Sequence, residues 1–270
     1  APEKLTTALA ATALLTACGG GGEGGGPSIP GNGSSTPGSP AGATYTAALN
    51  DEDAVRFLLQ AQFSASDADI AAVRSKPYAT WLAEQFVAAP SMSGFDWLNE
   101  RGYGTISSTT NFYDSTYPGD YMLWNQLMTS SDGVRKRIAL ALSEFFVVSL
   151  SGLDFSWRSF AIASWWDMLN VHATGNFRNL LQDVTLHPAM GYYLNTKGNL
   201  KENVKTGRAP DENYAREVMQ LFTLGIYQLN IDGTEKRDGN GNKLESYTQS
   251  DITNIARVFT GWDFDQTQNV

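Results

Sequence analysis

From about Thr44 onward, apolar residues recur at three- and four-residue spacing, the mark of amphipathic helices. Asn50 or Asp51 is placed to cap a helix carrying Val55, Leu58 and Leu59 on one face. Ser66 with Asp69 three residues on opens a second, with Ile70 and Val73 inside. Pro77 suits the first turn of a third, whose Tyr78, Trp81, Leu82, Gln85 and Phe86 share a face before Pro90 stops it. Residues 94–119 mix Gly, Ser, Thr and aromatics without a period and predict an irregular loop region. Helical spacing resumes over residues 121–128, 132–149, 156–172 and 176–187, where Pro188 interrupts it, and again over 211–224, where Gly225 is the stop signal. Thr248 and Asp251 cap a last helix that ends near Gly261.

Two short runs have a different period. Ile226–Asn230 and Leu244–Tyr247 are strand candidates, and the Asp232-Gly233 and Asp238-Gly239-Asn240-Gly241 sequences between them are turn formers. The expected class is mainly α: a multi-helical globular domain over residues 44–270 with one small β-hairpin. The Asp238–Asn242 run has alternating oxygen ligands, but an EF-hand loop would need Gly at 243 and Glu at 249, where Lys243 and Gln249 stand. It predicts a turn.

The first forty residues have no such pattern. Leu5 to Ala17 is a short apolar stretch of small residues, the size of a signal-peptide core, and Lys4 precedes it. Leu15-Thr16-Ala17-Cys18 resembles the lipobox of bacterial lipoproteins. That resemblance implies removal of residues 1–17 and a lipid on Cys18. Acyl chains contribute about 0.8 kcal/mol per buried methylene, enough to hold a protein at a membrane surface. Residues 18–43, dominated by Gly, Pro and Ser, then read as a flexible tether. The expected location is the cell envelope, lipid-anchored, on the periplasmic side or the outer surface.

Composition narrows the function classes. Lys and Arg number 19 and Asp and Glu 28, so the net charge is −9. An acidic balance argues against a nucleic-acid partner. One cysteine forms no intrachain disulfide and excludes multi-cysteine zinc sites. The sequence has no G-x-S-x-G, Walker A or H-E-x-x-H motif. The seven Trp point to core first; the aromatics of residues 94–121 leave room for a glycan groove, with a surface protein the other partner class.

Charges inside apolar stripes carry the remaining chemistry. Residues 138–148 are apolar almost all round, which predicts a central helix, and Glu144 is the one charge among them. In residues 176–187, His187 falls about 20° from Leu180 on the helical wheel, and Asp183 stands one turn before it, spaced to orient an imidazole. In residues 211–224, Glu217 borders the apolar stripe between Leu221 and Leu224, whereas Glu212 and Arg216 form a solvated i,i+4 pair. Glu144, Asp183, His187 and Glu217 are therefore the candidate catalytic residues. They either converge, as carboxylates and a His for acid–base or metal chemistry, or form a structural ion network with Arg178, Arg216 or Arg257. No metal or cofactor is specified by the pattern.

Five segments together carry a family resemblance. They are the runs beginning Ala54-Val55-Arg56, Arg135-Lys136-Arg137-Ile138, Asp183-Val184-Thr185-Leu186-His187-Pro188, Pro210-Asp211-Glu212-Asn213-Tyr214-Ala215-Arg216-Glu217 and Ala256-Arg257-Val258-Phe259-Thr260-Gly261-Trp262. Over roughly residues 50–262 the chain resembles the bacterial domain-of-unknown-function family numbered 1800. The resemblance implies an exported protein, and a chain that is the N-terminal part of a longer one, since members continue with helices after the Thr-Gly-Trp segment. It carries no activity and no catalytic roles. Two expectations stand: a binding or assembly protein at the cell surface, or a hydrolase or metal-dependent enzyme built on the four candidate residues.

Overall fold

A computed structural model describes residues 46–107 and 111–265. The expected signal peptide, Cys18 and the tether lie outside the described residues. The described chain holds eleven α-helices: α1 (Asp51–Ala61), α2 (Asp67–Arg74), α3 (Tyr78–Val87), α4 (Gly94–Glu100), α5 (Tyr117–Thr129), α6 (Gly133–Phe145), α7 (Arg158–Val171), α8 (Phe177–Leu186), α9 (Pro188–Tyr193), α10 (Asn213–Gln220) and α11 (Gln249–Val258). It forms two compact units, one of residues up to 89 with 127–137, the other of residues 90–126 with 138 onward.

In the first unit the helix starts follow the sequence. Asn50 Oδ1 accepts from the Asp53 N–H at 2.8 Å. Ser66 and Asp69 form a reciprocal capping box on α2. Ala54, Leu58, Val73 and Trp81 are buried, and Phe57 stacks on Tyr78 with its edge to Trp81. Where the sequence shows only a basic run, the first turns of α6 bury charge: Asp132 lies 3.7 Å from Lys136 Nζ and 3.6 Å from Arg135, both side chains nearly inaccessible. Paired burial keeps such charges tolerable, because each offsets the other's lost hydration. Gly133 leaves room for the Gln62 side chain, which an added Cβ would meet at 2.5 Å.

In the second unit α7 is the central helix, with Ile162, Ala163, Trp165, Trp166, Leu169 and Asn170 buried. It packs against α4 and α9. This corrects the expectation for residues 132–149. α6 ends at Phe145, and Phe145 and Val147 are exposed, so an all-round apolar sequence here does not mean all-round burial. Two buried polar side chains at α7 are satisfied in a chain: Trp166 Nε1 donates to Gln126 Oε1 at 2.7 Å, and Gln126 Nε2 donates to the Met92 carbonyl at 2.9 Å.

The region of residues 94–119, expected to be irregular, contains the helix α4 and the first turn of α5. Ser93 caps α4 locally, its Oγ accepting from the Asp96 N–H at 3.0 Å, and a second partner is distant in sequence. Asp167 of α7 accepts from the Gly94 and Phe95 N–H groups at 2.6 and 2.9 Å.

The expected β-hairpin is replaced by isolated bridges; among the described residues there is no strand. Single antiparallel bridges join Tyr227 to Glu245, Leu229 to Glu235 and Arg237 to Lys243. Two turns, at Asp232-Gly233 and at Asp238–Gly241, cut the run into three segments rather than two. Each segment pairs with both others for one rung and then diverges. Nearly every side chain here is exposed, so no apolar face supports a longer ladder.

α10 and α11 lie against each other over Ala215, Ile252 and Ala256, with Met219, Tyr247 and Ile255 packed beside them. Thr248 and Asp251 form the expected capping box on α11. α10 is shorter than the sequence predicts. Both the Leu221 and Phe222 N–H groups bond to the Glu217 carbonyl, a widened turn that carries Phe222 inward against Phe146.

Candidate functional site

The α8–α9 junction holds the one candidate residue with an unusual environment. Asn176 Oδ1 caps α8 by accepting from the Arg178 N–H at 3.0 Å, and Leu180 and Val184 bury the helix face. Pro188 ends it, since a residue before proline is driven out of the helical region. His187 accordingly has φ −71°, ψ 130°, and serves as the N-cap of α9 with Pro188 in its first turn.

The cap sets the tautomer of His187. Its Nδ1 accepts from the Ala189 N–H at 3.2 Å, so the ring proton sits on Nε2. Nε2 faces Ser164 Oγ at 3.2 Å, and the ring meets Trp165 edge-on. Burial pushes the pKa down to about 4, against the opposing Ser164 contact and Asp183 charge. The side chain is a neutral imidazole at physiological pH.

Ser164 beside His187 looks like a nucleophile and its base, but the polarity is reversed. A serine nucleophile needs Nε2 as acceptor, with Nδ1–H held by a carboxylate. Here Nε2 carries the hydrogen, and Nδ1 is occupied by a backbone donor.

The other candidates have different environments. Asp183 does not orient His187. The helix stops at Leu186, so the i,i+4 geometry that would join them is absent, and the Asp183 carboxylate instead meets His172 Nε2 at 2.6 Å. Glu144 is exposed in the last turn of α6. Glu217 is half-buried on α10, and among the described residues no hydrogen bond or ion pair holds its carboxylate. Arg216 and Arg257, the cations expected to close an ion network, pair with Glu212 at 2.7 Å and Glu202 at 3.2 Å. No group of three or more His, Cys, Asp or Glu among the described residues is arranged to hold a metal ion.

His187 borders a half-open cleft of about 340 Å³. One wall is the α8–α9 turn with Thr185, Pro188 and Gly191; the facing walls are Thr196-Lys197 and the Phe259–Asp265 segment. Backbone bonds fix those walls. Lys197 N–H donates to the Gly191 carbonyl, Gly198 N–H to the Trp262 carbonyl and Gly261 N–H to the Asn199 carbonyl, each at 2.8 Å. Gly198 and Gly261 have φ of +70° and +86°, which glycine adopts without strain. Lys197 Nζ lies 3.5 Å from Asp263 and 4.9 Å from the Phe264 ring centroid.

Ser164, Lys197, Trp262 and Asp263 were not singled out from the sequence. Trp262 stood in a quoted motif, yet nothing in its spacing showed that it faces a cleft.

The fold and the cleft define a multi-helical protein with a ligand-sized recess and no metal cluster among its described residues. The chain belongs to the family described as Protein of unknown function (DUF1800), which it matches over residues 56–270, well over half its length. No curated protein and no solved structure matches it.

Proposed function

We propose that the protein is a membrane-tethered binding protein of the cell envelope, with the cleft beside His187 as its binding seat. The single observation that carries binding over hydrolysis is the Ala189 N–H bond to His187 Nδ1. It commits the imidazole to a tautomer in which Nε2 is a donor toward Ser164, and a base with a pKa of about 4 takes protons poorly at neutral pH. The tether rests on the lipobox-like Leu15–Cys18 and the Gly-rich residues after it.

Two measurements test the reading. The full chain and its Ser164→Ala variant are assayed on chromogenic esters, phosphates and glycosides, with and without added zinc or manganese. The binding reading expects no turnover; turnover by the full chain overturns it in favour of an enzyme, a serine-dependent one if Ser164→Ala abolishes it and one built on other residues if it does not. Cys18→Ser is expected to move the protein from the membrane pellet to the soluble fraction, and continued sedimentation with membranes would refute the lipid anchor.

A further inference from the structure

We infer that the cleft's ligand is a neutral saccharide of one or two residues, an inference that rests on the binding reading above. The charges in the cleft argue by elimination. An anion would meet one ammonium, Lys197, already 3.5 Å from Asp263, with Asp265 also in the lining. A cation would have to displace Lys197 both from Asp263 and from the face of Phe264. A purely apolar ligand would strip water from Lys197, Asp263 and Thr196 without replacing their hydrogen bonds.

A polyhydroxylated neutral ligand meets none of these penalties. Vicinal hydroxyls bridge a paired ammonium and carboxylate, donating to Asp263 and accepting from Lys197, so the ion pair is used rather than broken. The C–H face of a pyranose has a place to lie. Trp262 lines the cleft with half its surface exposed, and Phe259 lies beside it on the same wall. Tyr214 meets Phe259 edge-on at 4.8 Å, which holds that ring in place. A volume of about 340 Å³ suits a sugar of this size and not a long polymer segment enclosed on all sides.

The test titrates the full chain calorimetrically with maltose, cellobiose, N,N′-diacetylchitobiose and, as a contrasting probe, the dipeptide Gly-Leu. At least one disaccharide is expected to bind with Kd at or below about 1 mM. Trp262→Ala is expected to weaken that binding about tenfold or more, and Trp262→Phe, which keeps an aromatic face, only about two- to fivefold. Circular dichroism establishes that both variants fold; should Trp262→Ala fail, Lys197→Gln, on the rim of the same cleft, serves in its place. Binding of Gly-Leu alone, lost in Trp262→Ala, overturns the saccharide and leaves the binding seat standing. Disaccharide binding unchanged by every variant places the sugar elsewhere and overturns both. If no probe binds, the saccharide inference falls, while the Ser164→Ala assay still decides between binding and hydrolysis.

Discussion

The α10–α11 seam and the α8–α9 junction both place a titratable side chain at a helix start, and they treat it in opposite ways. At the seam, the Glu212 carboxylate accepts from Thr253 Oγ1 at 2.9 Å, Gln249 Nε2 at 3.0 Å and Arg216 Nη2 at 2.7 Å. Those bonds, Thr253 and Gln249 foremost, hold its pKa below the ordinary carboxylate value. At the junction, His187 is largely shielded from water, given one backbone donor and one hydroxyl, and kept neutral beside a half-open recess. A saturated charge locks two helices together and leaves nothing for a ligand. A neutral cap beside a recess costs the fold some acid tolerance and leaves the recess accessible. Polar residues near an apolar face therefore fall into two kinds, and their partners across the helix pair decide which.

Tyr214 links the two regions, so breaking it has the largest expected effect. Its ring is buried on α10, its hydroxyl meets Thr185 Oγ1 at 2.7 Å on α8, and its pKa is pushed up to about 12, mainly by burial. Tyr214→Ala is expected to cost about 3–5 kcal/mol in urea unfolding. Tyr214→Phe is expected to cost about 0.5–1.5 kcal/mol, because Thr185 keeps its bond to the Leu181 carbonyl. A loss below about 1 kcal/mol for Tyr214→Ala would show the two regions to be energetically independent.

Acid then separates them. The unfolded chain protonates His187 near pH 6.5, whereas the folded chain resists until about 4. Between those values the unfolded state binds more protons, so stability falls as pH drops, by about 2–3 kcal/mol. His187→Asn keeps an N-cap and is expected to flatten this part of the urea-derived stability profile; an unchanged slope would move the titration to another group.

Glu212 acts lower on the pH scale; its pKa is lowered like that of His187, but by hydrogen bonds to the charged form rather than by burial. Its stabilisation is fully present above the ordinary carboxylate pKa and is lost as pH falls through its depressed folded value. Glu212→Gln turns an amide donor toward Gln249 and Thr253, and is expected to cost about 1–2 kcal/mol at neutral pH. That difference from wild type should vanish in acid; a difference constant with pH would mean the carboxylate's charge plays no part. The smallest effect is expected of Asp183→Asn, at most about 1 kcal/mol, since the Asp183 side chain is half exposed where it meets His172. NMR titration of His187 in that variant is expected to shift only slightly downward, because burial dominates its pKa.

Much of the helical order was legible because caps are local. Asn50, Ser66 and Thr248 announce their helices within four residues, and the structure uses each as expected; Pro188 interrupts its run as expected but also opens α9, which the sequence pattern did not predict. What escaped the sequence depends on partners far along the chain. α4 rests on Asp167, some seventy residues away. Glu212 read as a solvated pair because Gln249 and Thr253 lie on another helix. Asp183 and His187 were joined on a wheel that Pro188 interrupts, and His172 took the carboxylate. The cleft was invisible for the same reason: three segments spread over residues 185–265 meet there through backbone bonds that no side-chain pattern records.

The three bridged segments between Ile226 and Tyr247 have a consequence for association with other chains. An open sheet of three strands has two outer edges, each a row of unpaired amides that a second molecule can extend. Here the pairing runs round all three segments, Tyr227 to Glu245, Leu229 to Glu235 and Arg237 to Lys243, so none of them is outermost. Ile231 and Leu229 stand in solvent on this lobe, beside segments that are each bridged to both of the others. The lobe thus shows apolar side chains to its surroundings without presenting an outermost strand for a second molecule to pair with.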